Sequence, residues 1–483
     1  MNAADFIALL PLLTISATAV VLMIAIAIRR NHKVAVIISL IGVAVAAASL
    51  SLTASAEPRQ ITSLLVLDSY SRLYMAILLG AAAFVFLFGY DYLKRRQERP
   101  EEFYLLVLLA TTGAMVLVVS LNFVSFFLGL ELLSVALYSL IAYVRTESAS
   151  IEAGIKYLVL AASSSSILLF GLALIYADSG SMDLSQFAAA MIRPTGSANT
   201  VSLMTGLMLV LTGVGFKLAV VPFQLWTPDV YEGAPLPVTA FIATVSKAGM
   251  FAFLLRWFHV HDGGLSGALG LVLTIIAIAS MLAGNLLALL QTNVKRILAF
   301  SSIAHMGYLL VALLAGGPLG APAATYYLIA YAATILGTFG LMTVVSGTRC
   351  EAASIDDYRG LFWKRPLLAG AFTTTLLSLA GIPLTAGFLG KFYVIAAGAS
   401  QSRWLLLFTL VVSSTIGLFY YLRIIVAMYS QPGGPGLEGE SSTQQLSLPA
   451  TLALTALTAL ILLLGVYPAP LWDVILAVTR DLG

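Results

Sequence analysis

Six ionisable side chains stand inside otherwise apolar runs: Glu131, Lys156, Lys217, Lys247, His305 and Lys391. The stretch SFFLGLELLSVALYSL, Ser125 to Leu140, carries Glu131 near its middle and no other charge. In lipid, one ionised side chain at a helix centre costs about 2.5–3.5 kcal/mol on insertion scales, so packing alone would favour leucine. Charges at that depth face a protein interior or a wet cavity, and they mark ion or proton paths. A structural ion pair accounts for one Glu and one Lys, but not for four lysines against one carboxylate. An unpaired buried ammonium is strongly penalised. Desolvation and neighbouring cations favour the free amine, however, so a buried lysine can exchange protons near neutral pH. Glu131 then has a role as the anion that favours the ammonium form of one lysine, and Lys217 is the expected partner. Moving that pair apart would release the proton.

His305 lies in FSSIAHMGYLL with Ser301, Ser302 and Tyr308, between lysine-bearing regions. That setting suits a relay, although a lone histidine hydrogen-bonded to a neighbouring helix explains it equally well. His259 and His261 fall at the end of an apolar run and read as interfacial. Arg423 reads as a structural salt bridge or a snorkelling side chain.

These groups must be positioned by membrane-spanning helices. The chain has 483 residues, 60% hydrophobic and only 10% charged, against roughly 25% charged for a soluble domain. So few charges cannot cover a soluble surface. Apolar runs of about 18 residues or more predict fourteen spans, near 5–28, 34–55, 71–92, 102–120, 122–143, 152–177, 200–221, 236–258, 266–290, 297–315, 321–347, 366–397, 404–429 and 449–474. The fold class is therefore an all-α polytopic membrane protein. The N-terminal run has no basic flank and carries Asp5, so it reads as a first spanning helix and not as a signal peptide. A short amphipathic element is expected at SMDLSQFAAAMI, and QPGGPGLEGESSTQQ reads as a long connection.

Orientation follows from the basic residues. With the N-terminus outside, the inner loops carry Arg29, Arg30, Lys33, Lys94, Arg95, Arg96, Arg99, Arg145, Lys295, Arg296, Arg349, Arg359, Lys364 and Arg365. The outer segments carry only Arg59, Arg72, Arg193, Arg256, Arg403 and Arg480. This asymmetry places both termini outside, with an even number of spans.

Two spans hold an interior proline beside a lysine: GVGFKLAVVPFQLW with Pro222 in helix 7, and LAGIPLTAGFLGKFYV with Pro383 in helix 12. Proline removes a backbone donor and breaks a helix. The two lie five helices apart, which fits two copies of one unit, helices 4–8 and 9–13. Five is odd, so the copies would be inverted in the membrane. Paired broken helices in inverted repeats are a transporter signature. The expected organisation is 1–100 for helices 1–3, 101–260 and 261–430 for the two repeats, and 431–483 for an inner loop and helix 14.

The sequence shows no G-x-G-x-x-G opening a βαβ unit, no P-loop, no C-x-x-C and a single cysteine, Cys350. No redox cofactor or nucleotide site is expected in this chain, so directed transport would need an ion gradient or a partner.

Three segments are familiar: WTPDVYEGAPLPVTAFIATVSKAGMFAFLLR, NVKRILAFSSIAHMGYLL and GIPLTAGFLGKFYV. They closely resemble the antiporter-like membrane subunits of bacterial respiratory complex I, the proton-pumping NADH:quinone oxidoreductase. The run TPDVYEGAP followed by SKAG resembles the subunit N branch, as distinct from its sisters M and L. The resemblance covers helices 4 to 13, with helices 1–3 and 14 less distinctive. It implies a subunit of the bacterial inner membrane with two inverted five-helix repeats, moving protons while NADH, FMN, iron–sulfur clusters and quinone are handled in partner subunits. The implied partners are other membrane-arm subunits, especially subunit M and the small membrane subunits, and the lipid bilayer, with no nucleic acid. The family's proton-path residues match Glu131, Lys156, Lys217, Lys247 and Lys391. The resemblance also implies proton uptake from the inner side through the first repeat and release outward near Lys391. A subunit of a multi-subunit cation/proton antiporter shares this pattern and differs in its neighbours. A twelve-helix solute facilitator fits poorly, because the basic G-x-x-x-D-R type of loop after helix 2 is missing.

Overall fold

The computed structural model describes residues 2–54, 58–96, 99–184, 199–259, 267–347, 350–431 and 447–480. Thirteen helices among them are long and apolar enough to cross a membrane. They are Ala3–Ile28, His32–Thr53, Ser69–Arg96, Glu101–Val119, Phe123–Ile141 and Ser148–Ser179 (spans 1–6), then Val201–Leu218 and Leu236–Phe258 (spans 7 and 8). Gly267–Leu289, Val294–Ala315 and Gly317–Val345 follow as spans 9–11, with Trp404–Tyr429 and Leu448–Val466 as spans 13 and 14. Span 12 is made of two shorter helices, Pro366–Ala380 and Ala386–Ser400. Helices among the described residues thus stand at all fourteen expected positions, thirteen of them long and apolar enough to cross a membrane singly. Asn2, Asn31, Asn122, Asn293 and Ser447 cap helix starts with their side chains, taking up N–H groups that would otherwise have no partner.

Burial sorts the spans into a core and a lipid-facing rim. Spans 8 and 10 are buried along their whole apolar length, whereas only a third of spans 6 and 14 is covered. Apolar side chains such as Leu128, Val135, Phe170 and Phe408 point outward, as lipid contact requires. Spans 4 and 5 approach closely at Gly113 and Gly129. A Cβ on Gly113 would stand 2.6 Å from the Leu133 nitrogen and 2.7 Å from the Gly129 carbonyl, the small-residue contact by which membrane helices gain van der Waals packing.

Four features depart from the sequence reading. A small antiparallel hairpin, Arg59–Ile61 with Leu65–Leu67, joins spans 2 and 3, so the fold is not wholly helical. The last expected span, 449–474, is two helices, Leu448–Val466 and Ala469–Arg480. Pro468 lies between them, and proline lacks the N–H that a continuous helix needs there. Arg256, read as an outer-segment charge, is buried and grips Asp68 with both terminal nitrogens, at 2.7 and 2.9 Å. Lys295, read as an inner-loop charge, is buried in the first turn of span 10. Most of SMDLSQFAAAMI, nearly all of QPGGPGLEGESSTQQ, and His261 lie outside the described residues, as does the side chain of His259.

The Asp68–Arg256 pair ties the foot of span 3 to span 8. Burial pushes the Asp68 carboxyl up, but the Arg256 guanidinium and the bonds from Ser71 outweigh it and hold it below the usual carboxylate range. A carboxyl whose folded-state value is depressed stabilises the fold above its unfolded value. That contribution is lost as pH falls through the folded value. Asp68→Asn should therefore cost about 3–5 kcal/mol at neutral pH, because it leaves a buried guanidinium uncompensated. The loss should be visible as a lower melting temperature of the detergent-solubilised protein. The difference from wild type should shrink at strongly acid pH, and an unchanged melting temperature at neutral pH would remove this account.

Candidate functional site

Span 7 stops where its lysine is needed. The helix Asn199–Leu218 carries Lys217 in its last turn. The chain then runs irregularly until Trp226–Gly233, with Ala219 at φ +61° and Pro222 unable to donate. The freed Val221 N–H is taken by Ser280 Oγ of span 9 at 2.9 Å, so the break is stabilised by protein, as it must be at this depth. The Lys217 ammonium donates to Ser134 Oγ of span 5 and to Tyr157 OH of span 6, both at 3.0 Å. It sits at a helix C-terminus, where the helix dipole favours a cation. A small cleft lined by Ser134, Ser164, Ser165, Phe216 and Lys217 opens beside it.

Span 12 solves the same problem in the other direction. Its first half ends at Ala380 with Gly381 at φ +85°, followed by Pro383 and by Leu384 at φ +71°. Lys391, from the second half, reaches back and donates to the carbonyls of Leu379 and Ala380 at 2.9 and 2.8 Å, and to Ser414 Oγ at 2.8 Å. These carbonyls are unsatisfied by the helix that ends there. Both expected breaks are therefore found, and each holds a lysine Nζ at the C-terminus of its first half-helix. The lysines approach differently, since Lys217 precedes its break and Lys391 follows it.

Between them stand Lys247 and His305. A single π-turn, Ile242–Ser246, lies immediately before Lys247 in span 8, a local rewinding often found at functional sites. Lys247 Nζ donates to Ser302 Oγ at 2.6 Å, and Ser302 also meets Tyr331 OH at 2.6 Å and Tyr231 OH at 3.3 Å. One turn along span 10, His305 Nδ1 contacts Tyr327 OH at 2.6 Å and Nε2 contacts Tyr421 OH at 3.3 Å. Tyr421 also hydrogen-bonds Ser301. The Tyr331 ring lies 5.1 Å from the His305 ring. Lys391 sits over the Tyr308 ring at 5.4 Å, and the Tyr308 hydroxyl accepts from Asn285 at 2.9 Å. The result is a buried string of amines, hydroxyls and one imidazole on spans 8, 10, 11, 12 and 13. Each of these groups can donate or accept a proton; hydrogen bonds join Lys247, Ser302 and Tyr331 in one set and His305, Tyr327, Tyr421 and Ser301 in another, with ring contacts between the sets and to Lys391.

Two sequence readings change here. Glu131 makes no ion pair with Lys217. Its Oε1 is buried without a partner, and Ser134, one turn further along the same helix, bonds the ammonium instead. Glu131 therefore acts on Lys217 through its field and not through a direct ion pair. Lys156 is not an isolated interior cation: its side chain is 45% exposed and pairs with Glu152 at 2.8 Å and Asp229 at 2.9 Å. Asp229 is itself shared with Arg296 at 3.0 Å. The apparent surplus of lysines over carboxylates is smaller than the apolar runs suggested, because Asp229 comes from a separate short helix. Arg423 forms no salt bridge among the described residues. It donates to the Leu289 and Gln291 carbonyls at the end of span 9.

Apart from Tyr308, the tyrosines were not singled out by sequence. The pairs Tyr327/Tyr331 and Tyr420/Tyr421 gave a usable signal, since a buried phenol needs a hydrogen-bond partner. Asn285, which accepts from Tyr420 at 3.0 Å, gave the same signal as an amide within an apolar span.

Comparison with known proteins places this arrangement. Residues 120–417 match the model of the NADH:quinone oxidoreductase/Mrp antiporter transmembrane family. A curated relative from Ectopseudomonas mendocina (strain ymp), named NADH-quinone oxidoreductase subunit N, is 46% identical over 482 residues, covering 98% of this chain and 96% of that one. A chain of respiratory complex I from Thermus thermophilus with bound aureothin superposes with a TM-score of 0.80 at 32% identity, covering 96% of this chain and 98% of its own. A chain of an archaeal membrane-bound sulfane sulfur reductase gives 0.84 at 25% identity over 100% and 98%. A chain of the Mrp complex from Dietzia sp. DQ12-45-1b gives 0.85 at 21% identity over 100% and 98%, a likeness of fold alone.

Proposed function

The chain belongs to the NADH:quinone oxidoreductase/Mrp antiporter membrane-subunit family, and from that premise we propose that it is a proton-translocating membrane subunit of NADH:quinone oxidoreductase. Identity of 46% along almost the whole of a subunit N chain favours this over the antiporter alternative. The observation that carries the reading is the buried group in which Lys247 bonds Ser302 and Tyr331 bonds Ser302, the Tyr331 ring packs on His305, His305 bonds Tyr327 and Tyr421, and Lys391 lies over the Tyr308 ring.

Glu131, Lys217, Lys247, His305 and Lys391 are assigned to the proton path, with Lys156 at its flank. Protons would be taken up from the inner side through residues 101–260, a first five-helix unit, and leave outward near Lys391 through residues 261–430, an inverted copy. The relation of the two units is supported by the paired breaks. Both termini would lie on the outer side of a bacterial inner membrane. FMN, iron–sulfur clusters and the quinone would be held by partner subunits, among them an antiporter-like M subunit. The test is purification from membranes in mild detergent. The chain should travel with flavin- and iron–sulfur-containing proteins that oxidise NADH, and sealed vesicles should acidify their lumen on NADH addition. Recovery with other antiporter subunits and no NADH oxidation would overturn the reading.

A further inference from the structure

A largely buried carboxylate outside this path, besides Asp68, joins two spans that bear on it. Glu351 follows span 11 on the connection to span 12, and its side chain is only 12% exposed. Such a group is costly to bury unless every oxygen is paired. Here Oε1 accepts from Tyr92 OH of span 3 at 2.5 Å and from the Leu236 backbone N–H at 3.1 Å. Oε2 accepts from Lys295 Nζ at 2.6 Å, and Lys295, 1% exposed, also donates to the Ala234 carbonyl at 2.7 Å. Burial pushes the Glu351 carboxyl up, but Lys295 and Tyr92 hold it below the usual range, so it is an anion at neutral pH.

The partners share a geometric consequence. Leu236 is the first residue of span 8, whose starting N–H groups lack partners within the helix. Lys295 is in the first turn of span 10. Glu351 therefore clamps the starts of these two helices together. They meet again further along, where Lys247 Nζ of span 8 donates to Ser302 Oγ of span 10 at 2.6 Å. Ser302 lies seven residues beyond Lys295, on the same helix face. We propose that Glu351 is a positioning residue that sets the register of span 8 against span 10 and so holds Lys247 on Ser302. It does not itself carry the proton. This inference rests on the reading that Lys247 and Ser302 lie on the proton path.

The test is a double-mutant cycle in membranes containing the whole complex, with assembly checked on native gels and NADH-driven quinone reduction and pumping both measured. Ser302→Ala alone examines the path. A wild-type rate for it would remove the path reading and the positioning role together. Given a slow Ser302→Ala, Glu351→Gln alone should slow turnover about tenfold, as expected for losing one hydrogen bond to a charged group. Glu351→Asp, which keeps the anion, should retain more activity. In the Ser302→Ala background, adding Glu351→Gln should cost less than about twofold more, because the contact it positions is already gone. Losses that simply multiply would overturn the positioning role while leaving the path intact. Should Glu351→Gln fail to assemble, Glu351→Asp carries the same cycle, with the same two outcomes.

Discussion

Lys217→Ala, in a complex that still assembles, is expected to lower NADH-driven proton pumping and quinone reduction together by at least about tenfold, since a positioned proton-transfer group contributes that much or more. The ammonium is held by Ser134, Tyr157 and the end of its own helix. Alanine would leave two buried hydroxyls facing a void with nothing to carry charge. Glu131→Gln should act in the same direction but less strongly. Glu131 acts on Lys217 through its field, whereas Ser134 bonds the amine directly. Removing the anion makes the ammonium form harder to populate and slows proton uptake, and Glu131→Asp should be milder still. The double variant should cost less than the two single losses combined, because the residues act on one proton. Both activities are to be measured in sealed vesicles. Wild-type pumping in Glu131→Gln would return Glu131 to a structural role.

Lys391→Ala should be comparably damaging, and Lys391→Arg separates the two things Lys391 could be doing. The ammonium seals the Leu379 and Ala380 carbonyls at the end of a half-helix. Arginine could serve as such a plug, because its charge is permanent and it offers several donors. It could not give up a proton at any working pH. If Lys391 carries protons, Lys391→Arg should be nearly as slow as Lys391→Ala. Recovery to near wild-type turnover would reduce Lys391 to a helix plug. Gly381→Ala probes the same site from the backbone. Its Cβ would fall 2.8 Å from Lys391 Cδ and 2.9 Å from Nζ, at a φ of +85° that disfavours a side chain. It should impair pumping without removing any polar group, and an unchanged rate would mean that the lysine can find another seat.

The sequence by itself determined that this chain lives in a membrane, where its apolar helices run, and where two of them break. These are local properties: hydropathy over a window of residues, and the missing N–H of proline, act wherever the segment goes. It also marked Glu131, Lys217, Lys247, His305 and Lys391, because an ionisable group amid apolar residues is conspicuous before any contact is known. Partnership is different, since it joins residues far apart in the chain. Lys156 looked isolated until Asp229 arrived from another helix. Arg256 looked like a loop charge until Asp68, 188 residues away, was seen in its grip. Glu131 was matched to Lys217 by charge alone, yet the fold gave that ammonium two hydroxyls first. Glu351 drew no notice, because in sequence it sits in a polar connection where a carboxylate costs nothing. Only the packing of spans 3, 8 and 10 around it turned an ordinary loop residue into a buried anion with three donors, since desolvation and hydrogen-bond geometry exist only once distant segments meet.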